Sequence, residues 1–505
     1  MDPFYITTPI YYLNGRPHLG HAYTTIVTDV LRRFWELWGR DTYFLTGTDE
    51  HGQKIAEAAS QAGQDPNTFV DEANQYFRDM TALVGARPDD FIRTTEPRHV
   101  KGARALWDKI AANGWIEKGT YAGWYAVRDE AFYKESDIVD GKAPTGAHVA
   151  WVEEPCYFFK LSAFQERLLA FYKHNPDFVV PKERFNEAIR WVEQGLQDLA
   201  ISRSTFNWGI PVPGADGHIM YVWMDALSNY ITALGYPDHT EALKRFWPGA
   251  THVIGKDILR FHAIYWPAFL MAADMTPPKQ LYVHGWWTVE GEKMSKSLGN
   301  VLSPEALVNI YGLDPLRYFL LRQMPLGSDG NFSESAFEAC YTAELANDLG
   351  NLFQRVLAFI HKRMQKVPSG TAVVSPEIDA WLRDLPARAE HFMTRAQPHN
   401  YLAYVWEGVS LGNRFFDMFK PWMLYKSDQE VDKNVLNDGL AQILSLLYSI
   451  ALYLQPVMPE MASNMLKQMG YEGAPLSLTH PSWRLTAEQP LPEPNPLFSK
   501  EKNVA

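Results

Sequence analysis

Residues Asn14 to Gly39 read NGRPHLGHAYTTIVTDVLRRFWELWG, with two imidazoles, His18 and His21, standing three apart around Leu-Gly. Residues at this spacing share one face of a helix, and a helix front end offers unpaired N–H groups and a partial positive charge that attract anions. Two imidazole donors beside such an end suit a phosphate. The same pair could also cap or pack, or ligate a metal, although neither the Glu of a zincin arrangement nor a third ligand follows. A second stretch, EGEKMSKSLGNVLSP from Glu290 to Pro304, sets Lys293 and Lys296 three apart beside Ser295. Lysines are point charges on flexible stems, able to follow a polyphosphate whose geometry changes during reaction. A polar surface turn bounded by glycines has the same composition.

Behind the histidines, Leu19, Tyr23, Ile26, Val27, Val30, Leu31, Phe34, Leu37 and Trp38 recur at helical spacing, which predicts one buried stripe. Pro17 suits the first helical position, because its missing N–H would have no partner there; both histidines then lie on the first turn. Strand and helix alternate from FYITTPI through DTYFLTGTDEHG to FIRTT, the order of a parallel sheet with crossover helices, whose sites lie beyond the carboxyl ends of the strands. His18, His21, Asp49 and His51 fall there. The expected organisation is an α/β, Rossmann-like domain over 1–112, interrupted by a connective insertion over 113–203 and resumed over 204–290. The lysine segment and its surroundings fill 291–335, an all-α bundle 336–480 and a Pro-rich tail, extended or disordered, 481–505. Within the insertion, helical stretches are expected from Phe164 to Tyr172 and from Phe185 to Leu199.

The chain of 505 residues carries a net charge of −12, which argues against coating nucleic acid through bulk charge. An RNA partner would need a local basic surface. Two cysteines, Cys156 and Cys340, exclude a cysteine-rich zinc site and a disulfide framework and fit a reducing cytoplasm. The opening MDPFYITTPIYY lacks the features of a leader. Gly439 to Pro459 is uncharged and long enough to span a bilayer, but Gln442, Ser445, Ser449 and Gln455 interrupt it and Asp438 and Glu460 flank it. It reads as the buried central helix of a bundle, not a membrane span.

HLGH at 18–21 resembles the HIGH signature of class I aminoacyl-tRNA synthetases, and KMSKS at 293–297 matches their second signature letter for letter. The stretches TTPIYYLNGRPHLGHAY, FLTGTDEHGQKI, WMDALSNYITALG, HVIGKDILRFHAIYWPAFL and HGWWTVEGEKMSKSLGNV are similar to motifs of the methionyl-tRNA synthetase family, over nearly the whole chain to about residue 480. The insertion is too short for the editing domain of a leucine, isoleucine or valine enzyme.

The resemblance implies ligation of methionine to initiator and elongator methionine tRNA, through an adenylate made from ATP with release of pyrophosphate. The methionine carboxylate is already a nucleophile, so catalysis rests on positioning and charge stabilisation. His18, Gly20 and His21 with the helix end, and Lys293, Ser295 and Lys296, are the implied ATP contacts. Mg²⁺ is expected to arrive with the nucleotide, not in a protein cage. Carrying the family's pocket over puts Ile10, Tyr12, Trp223, Ala226, Leu227, Tyr230, Ile258 and His262 around methionine, with Tyr12 and His262 as donors to the sulfur. Asp49 pairs with the α-ammonium, and Asp257 is a further polar wall. GNLFQRV resembles the Asn-Leu-x-x-Arg anticodon motif, giving Asn351 and Arg355, with Trp422 as stacking partner and His361 to Lys366 (HKRMQK) as local positive charge.

Many relatives carry zinc knuckles of CxxC pairs in the insertion; here Ala126 and Asp129 stand in such a position. Tetrahedral zinc needs four ligands, so a zinc-free insertion is expected, held by packing of Trp124, Tyr125, Phe132, Tyr133 and Trp151. The expectation is a short form without the C-terminal tRNA-binding module that some relatives append, monomeric and with no membrane association.

Overall fold

The structure, a computed structural model, describes residues 2–128, 131–133, 135–293, 302–471, 476–479 and 488–498. Five parallel strands, β1 (Phe4–Thr7), β2 (Thr42–Asp49), β3 (Asp90–Arg93), β4 (Thr251–Gly255) and β5 (Gln280–His284), form a Rossmann-like sheet. Their spatial order is β3-β2-β1-β4-β5, with Val179–Val180 from the insertion adding a short edge strand to β5. The chain therefore proceeds one way from β1 and later returns to its other side at β4. The gap beyond the carboxyl ends of β1 and β4 is the switch point at which such sheets bind ligands.

Proline cannot donate a ladder hydrogen bond, and β1 ends before Pro9; Tyr11–Tyr12 resumes pairing further along β2, with Tyr12 opposite Asp49. Helix α1 (Leu19–Leu37) then crosses back, burying Leu19, Tyr23, Ile26, Val27, Val30, Leu31 and Phe34. Its start differs from the sequence-based expectation. His18 is the N-cap in extended conformation and Pro17 lies outside the helix, because an imidazole nitrogen supplies the capping acceptor. Within the insertion the second helix runs Lys182–Glu193 and stops before Gly195, whose φ of +97° suits a helix C-terminus. Leu199–Ala200 is not helical as expected but pairs antiparallel with Phe158 and Phe159. That strand completes a four-stranded antiparallel sheet with Ile116–Ala126, Ala131–Tyr133 and Ala150–Phe159.

From Glu334 to Gln468 the chain is predominantly helical. Glu334–Cys340, Tyr341–Gly350 and Asn351–Arg363 run head to tail, the middle part π-helical. Pro376–Thr394, Pro398–Phe419, Glu430–Leu454 and Pro459–Gln468 complete the bundle. The apolar Glu430–Leu454 helix is long enough to cross a membrane, and 78% of its apolar window is buried among the others. The described tail, 488–498, is extended along the bundle: Val367 N–H donates to Gln489 O at 2.8 Å, and Phe498 lies against Gly350.

The two halves meet at Leu313–Gln323. Arg317, fully buried, donates to Asp29 of α1 at 2.7 Å, to Val84 O at 2.9 Å, and to Pro456 O and Val457 O at 3.0 and 2.8 Å. One turn earlier Asp314 accepts from Met461 N–H at 2.7 Å, while its Oδ1 finds no hydrogen-bond partner among the described residues. Burial pushes the Asp314 carboxyl up to about 6, against the opposing influence of Met461 N–H and Arg317. An unfolded aspartate titrates near 3.9, so the folded chain holds this proton more tightly. The stabilisation is therefore complete below about pH 4 and lost as pH rises through 6, by roughly 2–3 kcal/mol. Asp314→Asn keeps an acceptor for Met461 and should become progressively more stable than the native chain between pH 4 and 7 in urea unfolding; a pH-independent difference would contradict this.

Candidate active site

The first turn of α1 solves its own hydrogen-bonding problem with imidazoles. Gly20 N–H donates to His18 Nδ1 at 3.0 Å, and His18 N–H to His21 Nδ1 at 3.1 Å, a reciprocal cap in which both acceptors are ring nitrogens. The rings lie 3.9 Å apart. Burial, and then the neighbouring His18, hold His21 well below the ordinary histidine range, so its ring is neutral. A neutral imidazole that accepts at Nδ1 carries its proton at Nε2. Capping thus sets the tautomer, leaving Nε2–H as the donor. Gly20 is part of this arrangement: a Cβ there would lie 2.9 Å from His18 Cε1.

His18, Gly20 and His21 line one side of a cavity of about 650 Å³ at the switch point. Ile10 and Tyr12, after β1, line it too, as does Asp49 at the end of β2. Trp223, Ala226 and Leu227, on the short helix Val222–Leu227, and Tyr230 contribute a further wall. Asp257 and Ile258 follow β4, and His262 lies on the π-helical turn Phe261–Tyr265. Ten residues expected around an amino acid, drawn from four distant parts of the chain, thus surround one cavity. His262 requires a correction. Its Nδ1 lies 3.0 Å from the Ile258 carbonyl, which only accepts, so Nδ1 donates; Nε2 then accepts from the Tyr230 hydroxyl at 2.7 Å. Burial lowers this histidine to about 4. With both nitrogens engaged it has no donor left for a sulfur.

Sequence reasoning missed the buried groups that aim these walls. Glu50, fully buried, accepts from Thr48 at 2.8 Å, Arg93 at 2.7 Å and Thr95 at 2.5 Å, anchoring the turn between Asp49 and His51. Asp225 accepts from His51 Nδ1 at 2.6 Å and His99 Nε2 at 2.7 Å. Burial works against that carboxylate, yet the two imidazoles bring it down to about 2. This holds the helix carrying Trp223, Ala226 and Leu227 to the Asp49 turn. His51 and Asp225 lie 174 residues apart, so no local pattern signals the pair. Trp286 and Lys54 also line the cavity.

The lysine segment springs from a hairpin in which Lys293 pairs with Thr288. Ser295 and Lys296 lie outside the described residues, and of Lys293 only the backbone is described. Leu302, where the described chain resumes, accepts through its carbonyl from Leu19 N–H at 3.2 Å. Leu302 is thereby held at the front end of α1, next to His18.

In the bundle, Asn351 and Arg355 are exposed one turn apart on Asn351–Arg363. Arg355 pairs with Asp417, and its guanidinium sits 5.2 Å from the Phe416 ring centroid. Trp422, 39% exposed, meets the same ring edge-on at 6.1 Å. Of the basic run, His361 Nδ1 contacts Leu491 O at 3.0 Å and Lys366 pairs with Glu488, so the tail engages part of that charge.

The cap yields a direct expectation. Gly20→Ala should push the His18 ring aside and lower the turnover of the reaction at this cavity by at least about tenfold without unfolding the chain. Wild-type turnover in Gly20→Ala would contradict the role assigned to ring contact.

A family profile described as "tRNA synthetases class I (M)" matches residues 4–156 and 137–357. Methionine–tRNA ligase of Rickettsia felis is 48% identical, covering 93% of this chain and 92% of its own length. That of Mesorhizobium japonicum is 46% identical over 99% and 98%. The structure of Mycobacterium tuberculosis methionyl-tRNA synthetase in complex with methionyl-adenylate superposes with a TM-score of 0.95 at 42% identity, covering 99% of this chain and all of the other. The apo form of that enzyme gives 0.89 at 39% identity, over 99% and 98%. On identity, coverage and shared architecture, the chain belongs to the methionyl-tRNA synthetases of class I.

Proposed function

We infer that the chain ligates methionine to its cognate tRNA in two steps. A methionine carboxylate oxygen attacks the α-phosphorus of ATP, forming methionyl-adenylate as pyrophosphate leaves. A ribose hydroxyl at the tRNA 3′ end then attacks the adenylate carbonyl carbon, and AMP leaves. The observation that carries this reading is the single cavity shared by the capped imidazoles of α1, Asp49 and the aromatic wall.

In this reading His18 and His21 donate Nε2–H to the ATP phosphates beside the positive end of α1. Gly20 lets the backbone come close, and Lys293, Ser295 and Lys296 hold the β and γ phosphates as pyrophosphate departs. Lysines on flexible stems can follow that movement, and the hydrogen bond from Leu19 N–H to Leu302 O, shortly after the motif, supports this reading. ATP arrives as its Mg²⁺ complex. Asp49 takes the α-ammonium. Ile10, Trp223, Ala226, Leu227, Tyr230 and Ile258 read an unbranched, polarisable side chain by shape, Tyr12 is the donor to sulfur, and His262 with Asp257 completes the wall.

A second groove of about 1000 Å³, lined by Trp124, Trp151 and Trp191 of the insertion, meets the first at Trp223, Asp257, Ile258 and Trp286. Unstacked bases bind aromatic platforms, so this groove admits the tRNA 3′ end. Trp151 is 55% exposed and touches Trp124 edge-on, a groove wall more than the core residue expected. Asn351, Arg355 and Trp422 read the anticodon. The insertion is read as zinc-free from its sequence, since Ala126 and Asp129 stand where a CxxC pair would; the lone Cys156 thiol is buried, which pushes it up to about 11. The buried Glu154–Arg203 pair ties its sheet instead.

Exchange of labelled pyrophosphate into ATP, run with each amino acid in turn, should respond to methionine far above all others. Stimulation by a different amino acid, or by none, would overturn the assignment.

A further inference from the structure

Two anions must meet in the first step, the methionine carboxylate and the α-phosphate. The groups already assigned do not neutralise them: His21 is uncharged, and the signature lysines are committed to the β and γ phosphates. Two like charges a few ångströms apart in a partly enclosed site repel far more strongly than in bulk water, so a fixed cation near the reacting atoms has much to contribute.

The cations around the cavity can be sorted by what already holds them. Arg93 is spent on Glu50 and Asp71, and Lys256 on Asp329 at 2.7 Å. Arg16 lines the cavity but is exposed at its rim, over Tyr76. Lys54 remains. It lines the cavity and is half-buried, and among the described residues no ion pair or hydrogen bond holds its ammonium. Its ammonium lies over the face of Tyr12, 4.9 Å from the ring centroid. An aromatic face orients a cation without neutralising it. Tyr12 is the register partner of Asp49, and Gly52, with φ of +111°, turns the chain so that the helix Gln53–Gln61 begins beside that pair.

We propose that Lys54 is a catalytic residue whose ammonium binds the methionine carboxylate and stays with it as it attacks the α-phosphorus. The two ends of the zwitterion are separated by one carbon, so a cation beside the residue that pairs with Asp49 stands where the carboxylate must lie once Asp49 takes the ammonium. The proposal rests on the methionine-activating reading above.

The test compares methionine with methioninol, which keeps the ammonium and thioether but lacks the carboxylate. In calorimetry, K54M should lose at least about tenfold in affinity for methionine while methioninol binding stays within about twofold. Pyrophosphate exchange should fall on the order of 10²-fold, with partial recovery in K54R. Retained methioninol binding reports an intact pocket; should K54M not fold, K54Q is read by the same ratio. An unchanged methionine-to-methioninol ratio overturns the proposal, whatever the rate. A native chain that shows no methionine-dependent exchange overturns the reading beneath it instead.

Discussion

The site depends on what caps one helix. The first N–H groups of α1 have no intrahelical acceptors, and in this chain the Nδ1 lone pairs of His18 and His21 serve where Asn, Asp or Ser ordinarily would. Two properties follow from one arrangement. The rings cannot turn away without uncapping the helix, and each leaves its proton on Nε2. A helix end that is electropositive gains no protonated imidazole; burial keeps His21 neutral, so the turn offers directed donors in place of mobile charge. Such preorganised donors act without rearranging when charge develops.

That helix is also the member that joins the two halves. Eleven residues beyond His18, Asp29 takes Arg317, and Arg317 reaches the carbonyls of Pro456 and Val457 just after the long helix Glu430–Leu454. The other end of that long helix begins near the exposed Trp422 and Met423, with Val431 on its own first turns. A buried ion pair contributes little net stability beside an apolar substitute but is strongly destabilising when one partner is removed. Its value here is register: it ties the helix that carries the histidines to the bundle proposed to read RNA. Asp314, beside it on the same helix, makes the joint sensitive to pH.

The elements were legible from the sequence wherever a single chain segment contained its own cause. The alternation of strand and helix, the stripe on α1 and the buried apolar helix near the C-terminus each follow from local periodicity, and the cavity walls follow from matched motifs. What stayed hidden was set by partners far along the chain. An imidazole cap looks like a first-turn pair until its acceptors are seen, which moved Pro17 outside the helix. His262 looked like a donor because its engagement with Tyr230 and Ile258 depends on a π-helical turn that no spacing rule anticipates. Glu50, Asp225 and His99 read as ordinary polar residues, though their burial is what aims Asp49 and Trp223. The helix expected to reach Leu199 ended earlier because Gly195 turns the chain and the sheet of the insertion claims the residues beyond it.

The central claim is that the capped imidazoles and the signature lysines grip one triphosphate. A crystal structure with methionine and a non-hydrolysable ATP analogue tests it most directly. The account predicts phosphate oxygens within about 3.2 Å of Nε2 of His18 or His21, with the ammonium of Lys293 or Lys296 on the same nucleotide. A nucleotide bound with its phosphates away from the front of α1, or with the lysines turned toward a separate cavity, would contradict it.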